Sequence, residues 1–166
     1  MTSLHTDSIP PPVIVGGLGG SGTRVVAEIL ELLGFFMGSD LNESRDNLWF
    51  TLLFVRPDWL ARHGSSRGEV RAAFDIFTRG MAGRRTWSPA DIARIASAAM
   101  QIGLHGHSHT RAGRGLWPWG RARRLIAGAP HHALPLHWGW KEPNTHVYLP
   151  HLIDCFGKGN FKLIMT

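Results

Sequence analysis

The residues best suited to chemistry form one glycine-rich segment near the start of the chain. It follows the β-branched run Val13–Val15 and opens a helical pattern. Its members are Gly19, Gly20, Ser21, Gly22, Thr23 and Arg24. Glycines let a backbone turn several N–H groups toward one anion, and a helix N-terminus adds the positive end of its dipole. The segment therefore predicts a loop that binds a phosphate-type group of a nucleotide.

The glycine spacing fits more than one kind of nucleotide loop. Gly17 and Gly22 have the spacing of a triphosphate loop, but Thr23 stands where that motif has its lysine. Gly17, Gly19 and Gly22 also match the dinucleotide fingerprint, with Asp40 near the position of a ribose-binding acid. That second interpretation is a Rossmann-type oxidoreductase, and it requires further βαβ units after Asp40.

A third interpretation rests on the Ser-Gly-Thr sequence that ends the loop. Gly19–Arg24, placed after a Val-Ile-Val strand, resembles the 5′-phosphosulfate-binding loop of sulfotransferases. The Lys-Glu-Pro sequence Lys141–Pro143 is similar to a turn that places a lysine beside the transferring sulfuryl group in several branches of that family. Phe161–Met165 resembles the strand that precedes the family's 3′-phosphate loop. That loop would follow Thr166, so we expect the N-terminal part of such a domain, truncated at its C-terminus.

The resemblance implies a reaction and a role for individual residues. A sulfotransferase moves the sulfuryl group of 3′-phosphoadenosine 5′-phosphosulfate to an acceptor hydroxyl or amine, and a glycan is one such acceptor. The loop N–H groups and the hydroxyls of Ser21 and Thr23 would hold the 5′-phosphate. Lys141 would stabilise charge on the leaving oxygen, and Glu43 would act as general base, with Asp40 as second choice. A non-catalytic fragment of the same fold remains an alternative.

The elements that must position these residues follow from apolar runs and helical periodicities. Expected strands are Val13–Val15, Phe35–Met37, His137–Lys141 and Phe161–Met165. Expected helices are Thr23–Leu33, Arg45–Val55, Glu69–Met81, a capping-box helix after Ser88, Arg121–Ala127, and Thr145–Phe156 with an Asn or Thr cap. This order predicts an α/β fold of the P-loop type, with three layers, a mostly parallel sheet and a helical insertion.

The composition is that of a globular protein with an anionic partner. A length of 166 residues suits a single domain. The chain carries a net charge of +6 with neutral histidines, which favours an anionic partner, and 43% of its residues are hydrophobic. We expect a nucleotide and an acceptor as partners, without nucleic acid. No membrane span is expected, because no apolar run reaches the roughly 18 residues that a span needs. Residues 1–11 are expected to be a flexible lead-in without a signal sequence, and the single Cys155 indicates a cytoplasmic location.

Histidines are concentrated in the second half of the chain, where a set of arginines also lies between residues 111 and 124. His105, His107 and His109 have a spacing that can converge on a metal, but no carboxylate completes the segment, so no metal site is predicted. Alternative general bases are His131, His132 and His137. Candidate contacts to an anionic acceptor are Arg111, Arg114, Arg121, Arg123 and Arg124.

Overall fold

The computed structural model describes residues 10–107, 114–131 and 133–166. The strands are β1 (Val13–Gly16), β2 (Gly139–Lys141) and β3 (Lys162–Met165). The helices are α1 (Thr23–Leu32), α2 (Leu48–Phe54), α3 (Trp59–His63), α4 (Arg67–Met81), α5 (Pro89–His105), α6 (Trp117–Ala127) and α7 (Leu149–Phe156). A 3-10 helix, Pro143–Tyr148, joins β2 to α7. The chain is therefore an α/β protein, as predicted.

The three strands form one parallel sheet in which β1 is central, between β2 and β3. Val15 lies opposite Lys141 on one side and opposite Ile164 on the other. All of β1 is buried, which is typical of a central parallel strand covered on both faces. Because parallel strands end at the same edge, the loop after β1 and the turn after β2 emerge side by side.

The predicted strand Phe35–Met37 is reduced to a single bridge. Phe36 pairs with Trp138 just before β2 begins, and this single bridge is not extended into a ladder. Met37 is nevertheless buried, in a small cluster with Val15 and Leu30. This apolar segment therefore contributes to the core, but one bridge is too short to add a strand to the sheet.

The helix predicted from Arg45 begins instead at Leu48. The side-chain oxygen of Asn47 accepts hydrogen bonds from the N–H groups of Trp49 and Phe50, each at 3.1 Å, and so caps α2. An N-cap residue has non-helical backbone angles, so the helix cannot extend through Asn47. Residues 42–46 consequently form a separate turn, which the sequence periodicity did not predict.

The helix predicted over Thr145–Phe156 consists of two elements. Pro150 lacks the N–H that a continuous α-helix would use at that point, so α7 starts anew after the 3-10 helix. The predicted Asn or Thr cap is wrong: the Glu142 carboxylate caps this segment and accepts from the Asn144 N–H at 2.8 Å. The capping box at Ser88 is confirmed, because Ser88 and Asp91 exchange side-chain to backbone hydrogen bonds.

The inserted helices pack an aromatic core against the sheet. Every residue of α2 is buried. Phe50 stacks on Trp140 with centroids 5.8 Å apart and meets Phe77 edge-on at 5.6 Å. Trp138 is also fully buried, and its indole N–H donates to the Pro10 carbonyl at 2.6 Å. Trp138, just before β2, and Trp140, within β2, therefore both belong to the core.

No helix in the described ranges combines the length and the apolar character that crossing a membrane requires. The cytoplasmic location stays a prediction. Residues 1–9 of the expected lead-in lie outside the described part of the chain.

Candidate functional site

The glycine-rich loop follows Gly16, the last residue of β1, and its first residue, Gly17, is held in place by neighbouring backbone. Gly17 has φ 146° and donates its N–H to the Pro143 carbonyl at 3.1 Å. A β-carbon at Gly17 would lie 2.4 Å from the Thr166 carbonyl oxygen, so a side chain cannot fit there. The close approach between the ends of β1 and β3 therefore requires glycine at this position.

The second half of the loop opens onto free space. Gly20 and Gly22 have φ 84° and 87°, the left-handed region that glycine adopts readily. A β-carbon at either position would meet no atom within 4 Å. Gly22 is also the N-cap of α1, and no side chain caps this helix. The N-terminus of a ten-residue helix thus lies beside open space.

The loop carries several backbone donors that have no partner among the described residues. Within the described residues, no acceptor bonds the N–H groups of Gly19, Gly20, Gly22, Thr23 or Arg24. Ser21 differs, because its N–H donates to the Leu18 carbonyl at 3.1 Å. Several unpaired N–H groups at a helix N-terminus form a binding site for an anion.

The loop side chains contribute less than the sequence suggested. The Ser21 hydroxyl donates to the Leu18 carbonyl at 2.5 Å and lies 2.9 Å from the Thr166 hydroxyl, so its proton is already committed. Thr23 is buried. Arg24 is exposed but bonds Glu28 at 2.9 Å, and that hydrogen bond raises the pKa of the guanidinium, with a smaller effect from Glu43. The backbone, more than these side chains, is therefore equipped to hold an anion.

Lys141 lies at the same edge of the sheet as the loop. The turn that follows it is tied to β1, because the Glu142 N–H donates to the Val15 carbonyl at 3.1 Å. The Lys141 side chain is only 3% exposed. Its ammonium donates to the Ser44 carbonyl at 3.0 Å and to the Asp46 carboxylate. Two of its three N–H donors are therefore used within the fold.

The partners of Lys141 belong to a compact turn at residues 42–46. Asn42 closes the turn: its side-chain oxygen accepts from the Asp46 N–H, and its amide donates to the Asp46 carboxylate, both at 2.8 Å. Arg45 adopts φ 63° and reaches back to Glu31 of α1 at 3.4 Å. A non-glycine residue in the left-handed region is uncommon and marks a tightly specified backbone. The turn thus connects Lys141 to the first helix.

Glu43 lies at the exposed tip of this turn. No hydrogen bond or ion pair to its carboxylate occurs within the described residues. Its charge nevertheless acts on Arg24, the last residue of the loop sequence. The structure therefore brings the glycine-rich loop, Lys141 and the segment of Glu43 to one region. Sequence reasoning missed Asp46, whose signal was the Asn-x-x-x-Asp spacing before the cap at Asn47.

Glu142 is a second residue that sequence reasoning left without a role. Its carboxylate is buried and accepts hydrogen bonds from the Asn144 N–H and from the Asn144 amide, at 2.8 and 3.1 Å. Burial raises the pKa of this carboxyl to about 7, helped by the nearby Asp46 charge and opposed by the bonds from Asn144. Glu142 thus titrates close to neutral pH.

Asp40 cannot serve as the second general base or as a ribose-binding acid. It is 2% exposed and pairs with Arg121 at 2.5 Å and with Arg124 at 2.7 Å. A buried carboxylate needs such partners, because an unpaired buried charge is costly. The same bonds hold Arg121 and Arg124 against Asp40, while the Arg124 side chain stays 64% exposed. This cluster instead ties α6 to the segment before α2.

The described histidines do not converge on one point. Among the described residues, no group of three His, Cys, Asp or Glu side chains is placed to hold a metal ion. His109 and His132 lie outside the described residues, as does Arg111. His131 bonds the Met81 carbonyl through Nε2 at 2.7 Å, and His137 packs against Phe35.

No family model matches the chain, and neither a curated protein nor a solved structure matches it. Membership of the sulfotransferase family therefore stays a prediction. The functional conclusion depends on the geometry of the loop and its neighbours.

Proposed function

We propose that the chain is a sulfotransferase of the P-loop type that binds 3′-phosphoadenosine 5′-phosphosulfate through the loop Gly19–Arg24. The observation that supports this most is the row of unpaired loop N–H groups at the start of α1. A 5′-phosphate bound by them would lie beside the end of β2, where Lys141 is located. Backbone donors at a helix N-terminus suit a phosphate because they supply both hydrogen bonds and the helix dipole.

The transfer itself requires positioning and charge stabilisation. A bond forms between the acceptor oxygen or nitrogen and the sulfur, while the bond between sulfur and the phosphate oxygen breaks. The electron pair of that bond leaves on 3′-phosphoadenosine 5′-phosphate. Lys141 stabilises the developing negative charge, and Glu43 takes the proton of the acceptor. Little covalent work remains for the protein in such an in-line displacement.

The contacts of Lys141 are compatible with this role. An ammonium group has three donors, and Ser44 and Asp46 use two of them. The third remains for an oxygen of the bound nucleotide. Asp46 and Ser44 would fix the direction of the side chain, so that little order is lost when the co-substrate binds.

The two other nucleotide interpretations have less support. Helices α2 to α6 follow Asp40, where a dinucleotide-binding fold needs further βαβ units. Asp40 is itself buried in ion pairs with Arg121 and Arg124 and cannot reach a ribose. A triphosphate loop would require a lysine at the position of Thr23.

The direct test is calorimetric titration of the chain with 3′-phosphoadenosine 5′-phosphate, compared with ATP and NAD⁺. We expect binding of the first nucleotide and weaker binding of the other two. Absence of binding by 3′-phosphoadenosine 5′-phosphate would refute the proposal, and preferential binding of NAD⁺ would favour an oxidoreductase. Binding without transfer of labelled sulfate to a panel of phenols, sugars and amines would instead identify a non-catalytic nucleotide-binding chain.

A further inference from the structure

A cavity lies within the helical insertion, with walls from α2, α3, α4 and α5. Its volume is about 430 Å³, within the range of small-molecule sites. Its lining includes none of the residues of the glycine-rich loop or of the Lys141 turn. The inner wall is apolar and comes from the buried residues Leu53, Trp59 and Ile76, while Ala90 and Ala93 lie at the exposed mouth.

Arg56 supplies the polar group of this cavity. Its guanidinium lies over the indole of Trp59, with Cζ 4.2 Å from the ring centroid. Its Nε donates to the Leu53 carbonyl at 2.9 Å and its Nη1 to the Gln101 side-chain oxygen at 3.2 Å. These bonds hold the guanidinium plane in one orientation. Three of its five N–H donors have no partner in the part of the chain that the structure describes.

The charge of Arg56 is not neutralised within the described residues. It forms no ion pair there, whereas the neighbouring Arg94 and Glu69 pair with each other at 3.1 Å. Burial lowers the pKa of Arg56 to about 10, so the group still carries its charge at neutral pH. A half-buried cation without a carboxylate partner gains from binding an anion. His63 also lines the cavity, and its Nδ1 contacts the Trp59 carbonyl at 3.0 Å.

We propose that this cavity binds a small organic anion that carries a carboxylate on an aromatic or branched apolar body. The carboxylate would take the free donors of Arg56, whose planar fork matches its two oxygens. The apolar body would pack against Leu53, Trp59 and Ile76. A monoanion fits better than a phosphate ester, because Glu69 and Arg94 also line the cavity but pair with each other, which leaves Arg56 as the lining cation of the described residues without a carboxylate partner. This site is separate from the proposed nucleotide site and does not depend on it.

The test is calorimetric titration of the intact chain with phenylacetate, with its neutral amide and with phenyl phosphate. We expect phenylacetate to bind at least about tenfold more tightly than phenylacetamide, because the amide lacks the charge that Arg56 attracts. In the ¹H–¹⁵N spectrum, the indole N–H signal of Trp59 should shift during the titration. Equal affinity for the acid and the amide would overturn the proposal, as would no binding at about 10 mM. Tighter binding of phenyl phosphate would overturn the preference for a carboxylate.

Two variants identify the site, and a third serves as control. Arg56→Met should weaken phenylacetate binding at least about tenfold, while Arg67→Met should leave it unchanged, since Arg67 is 84% exposed and pairs with Asp154 outside the cavity. If Arg56→Met fails to fold, Ala93→Phe gives the same information by filling the mouth from an exposed position. Unchanged phenylacetate affinity in a folded Arg56→Met or Ala93→Phe protein would contradict the proposal. Binding of 3′-phosphoadenosine 5′-phosphate should be the same in all three variants, so the two sites are tested independently.

Discussion

At the scale of single residues, the candidate site depends on how Lys141 is held. Its ammonium is buried between the Ser44 carbonyl and the Asp46 carboxylate, so its position is defined before any ligand binds. A preorganised cation stabilises developing negative charge without a cost of reorganisation at the moment of reaction. The pair also anchors the turn on which Glu43 lies.

Replacing Lys141 by methionine should lower the rate of sulfuryl transfer by about 100-fold, the size of effect seen when one charge-stabilising donor is removed. The measurement is the rate at which labelled sulfate is transferred from the co-substrate to an acceptor. Lys158→Met is the matched control, because Lys158 is an exposed lysine outside the site. The double variant Asp46→Asn Lys141→Met keeps Asp46 from being left unpaired, so it separates loss of catalysis from loss of folding. Full activity in a folded Lys141→Met protein would exclude the proposed role.

Glu142 predicts a pH dependence of stability. Its folded pKa of about 7 lies above the ordinary value of 4.5, so the folded state binds more protons than the unfolded state between these values. The contribution of Glu142 to the free energy of unfolding is therefore fully present below about pH 4.5 and is lost as the pH rises through 7. Glu142→Gln should remove this slope. In urea unfolding, the free energy of unfolding of the wild type should therefore fall relative to that of the variant from pH 5 to pH 8. A constant difference between the two proteins would contradict the assignment.

At the scale of elements, the glycine-rich loop is suited to bind an anion through its backbone N–H groups more than through its side chains. Its glycines allow the left-handed angles at Gly20 and Gly22, and α1 begins without a side-chain cap. The first-turn N–H groups of α1 are thereby left for a ligand. The start of α5 differs. There the Ser88 side chain accepts from the Asp91 N–H and the Asp91 side chain accepts from the Ser88 N–H, so these backbone donors are bonded within the chain.

Gly20→Ala should weaken nucleotide binding, because the new methyl group would enter the open space beside the loop, where the anion is proposed to bind. Gly159→Ala is a close match in backbone conformation: Gly159 has φ 87°, and a β-carbon added there would also meet no atom within 4 Å. Both substitutions should cost about 1 kcal/mol in stability, since alanine is strained in the left-handed region. Only Gly20→Ala should reduce the affinity for 3′-phosphoadenosine 5′-phosphate. Equal affinities in the two variants would argue against the loop as the phosphate site.

The cap of α5 should contribute about 1 kcal/mol to the free energy of unfolding. Ser88→Ala removes the oxygen that accepts from the Asp91 N–H at 3.2 Å. Ser66 is the N-cap of α4 but makes no side-chain capping bond, so Ser66→Ala should be close to neutral. Urea unfolding of the two variants measures the difference. Similar destabilisation of both would mean that the capping box at Ser88 adds nothing beyond helix propensity.

At the scale of the whole molecule, one aromatic core joins the small sheet to the helical insertion. Phe50 of α2 contacts Trp140 of β2, Phe77 of α4 and Tyr148 of the 3-10 helix. The same α2 begins at Asn47, whose N–H donates to the Lys141 carbonyl at 2.8 Å. Packing in the insertion is therefore continuous with the backbone that positions Lys141.

Phe50→Ala should destabilise the whole chain by about 3–5 kcal/mol, as large-to-small substitutions of buried aromatic residues do. The expected measurement is a single urea transition, followed by both far-ultraviolet and near-ultraviolet circular dichroism, that shifts to lower denaturant concentration. Leu32→Ala is the comparison, because Leu32 is 87% exposed and should cost little beyond a change in helix propensity. Two separate transitions in Phe50→Ala would show that the sheet and the insertion are not one cooperative unit.

Local sequence patterns were enough to predict the elements that carry the loop. The buried strand β1, the glycine-rich turn and the start of α1 at Thr23 were all expected, as was β3 within one residue. These features depend on neighbours in sequence: apolar runs, left-handed angles at glycine, and the helical repeat of apolar side chains. The capping box at Ser88 belongs to the same group, because both of its partners lie within one helical turn.

The partners of the charged residues were not predictable in this way. Lys141 and Asp46 are separated by 95 residues, and Asp40 by 81 and 84 residues from its two arginines. Whether a lysine faces solvent or an aspartate, and whether Asp40 is exposed or buried, depends on how α2 and α6 pack beside the sheet. Periodicity reports the face of an element, whereas the pairing of charges depends on which faces meet in three dimensions.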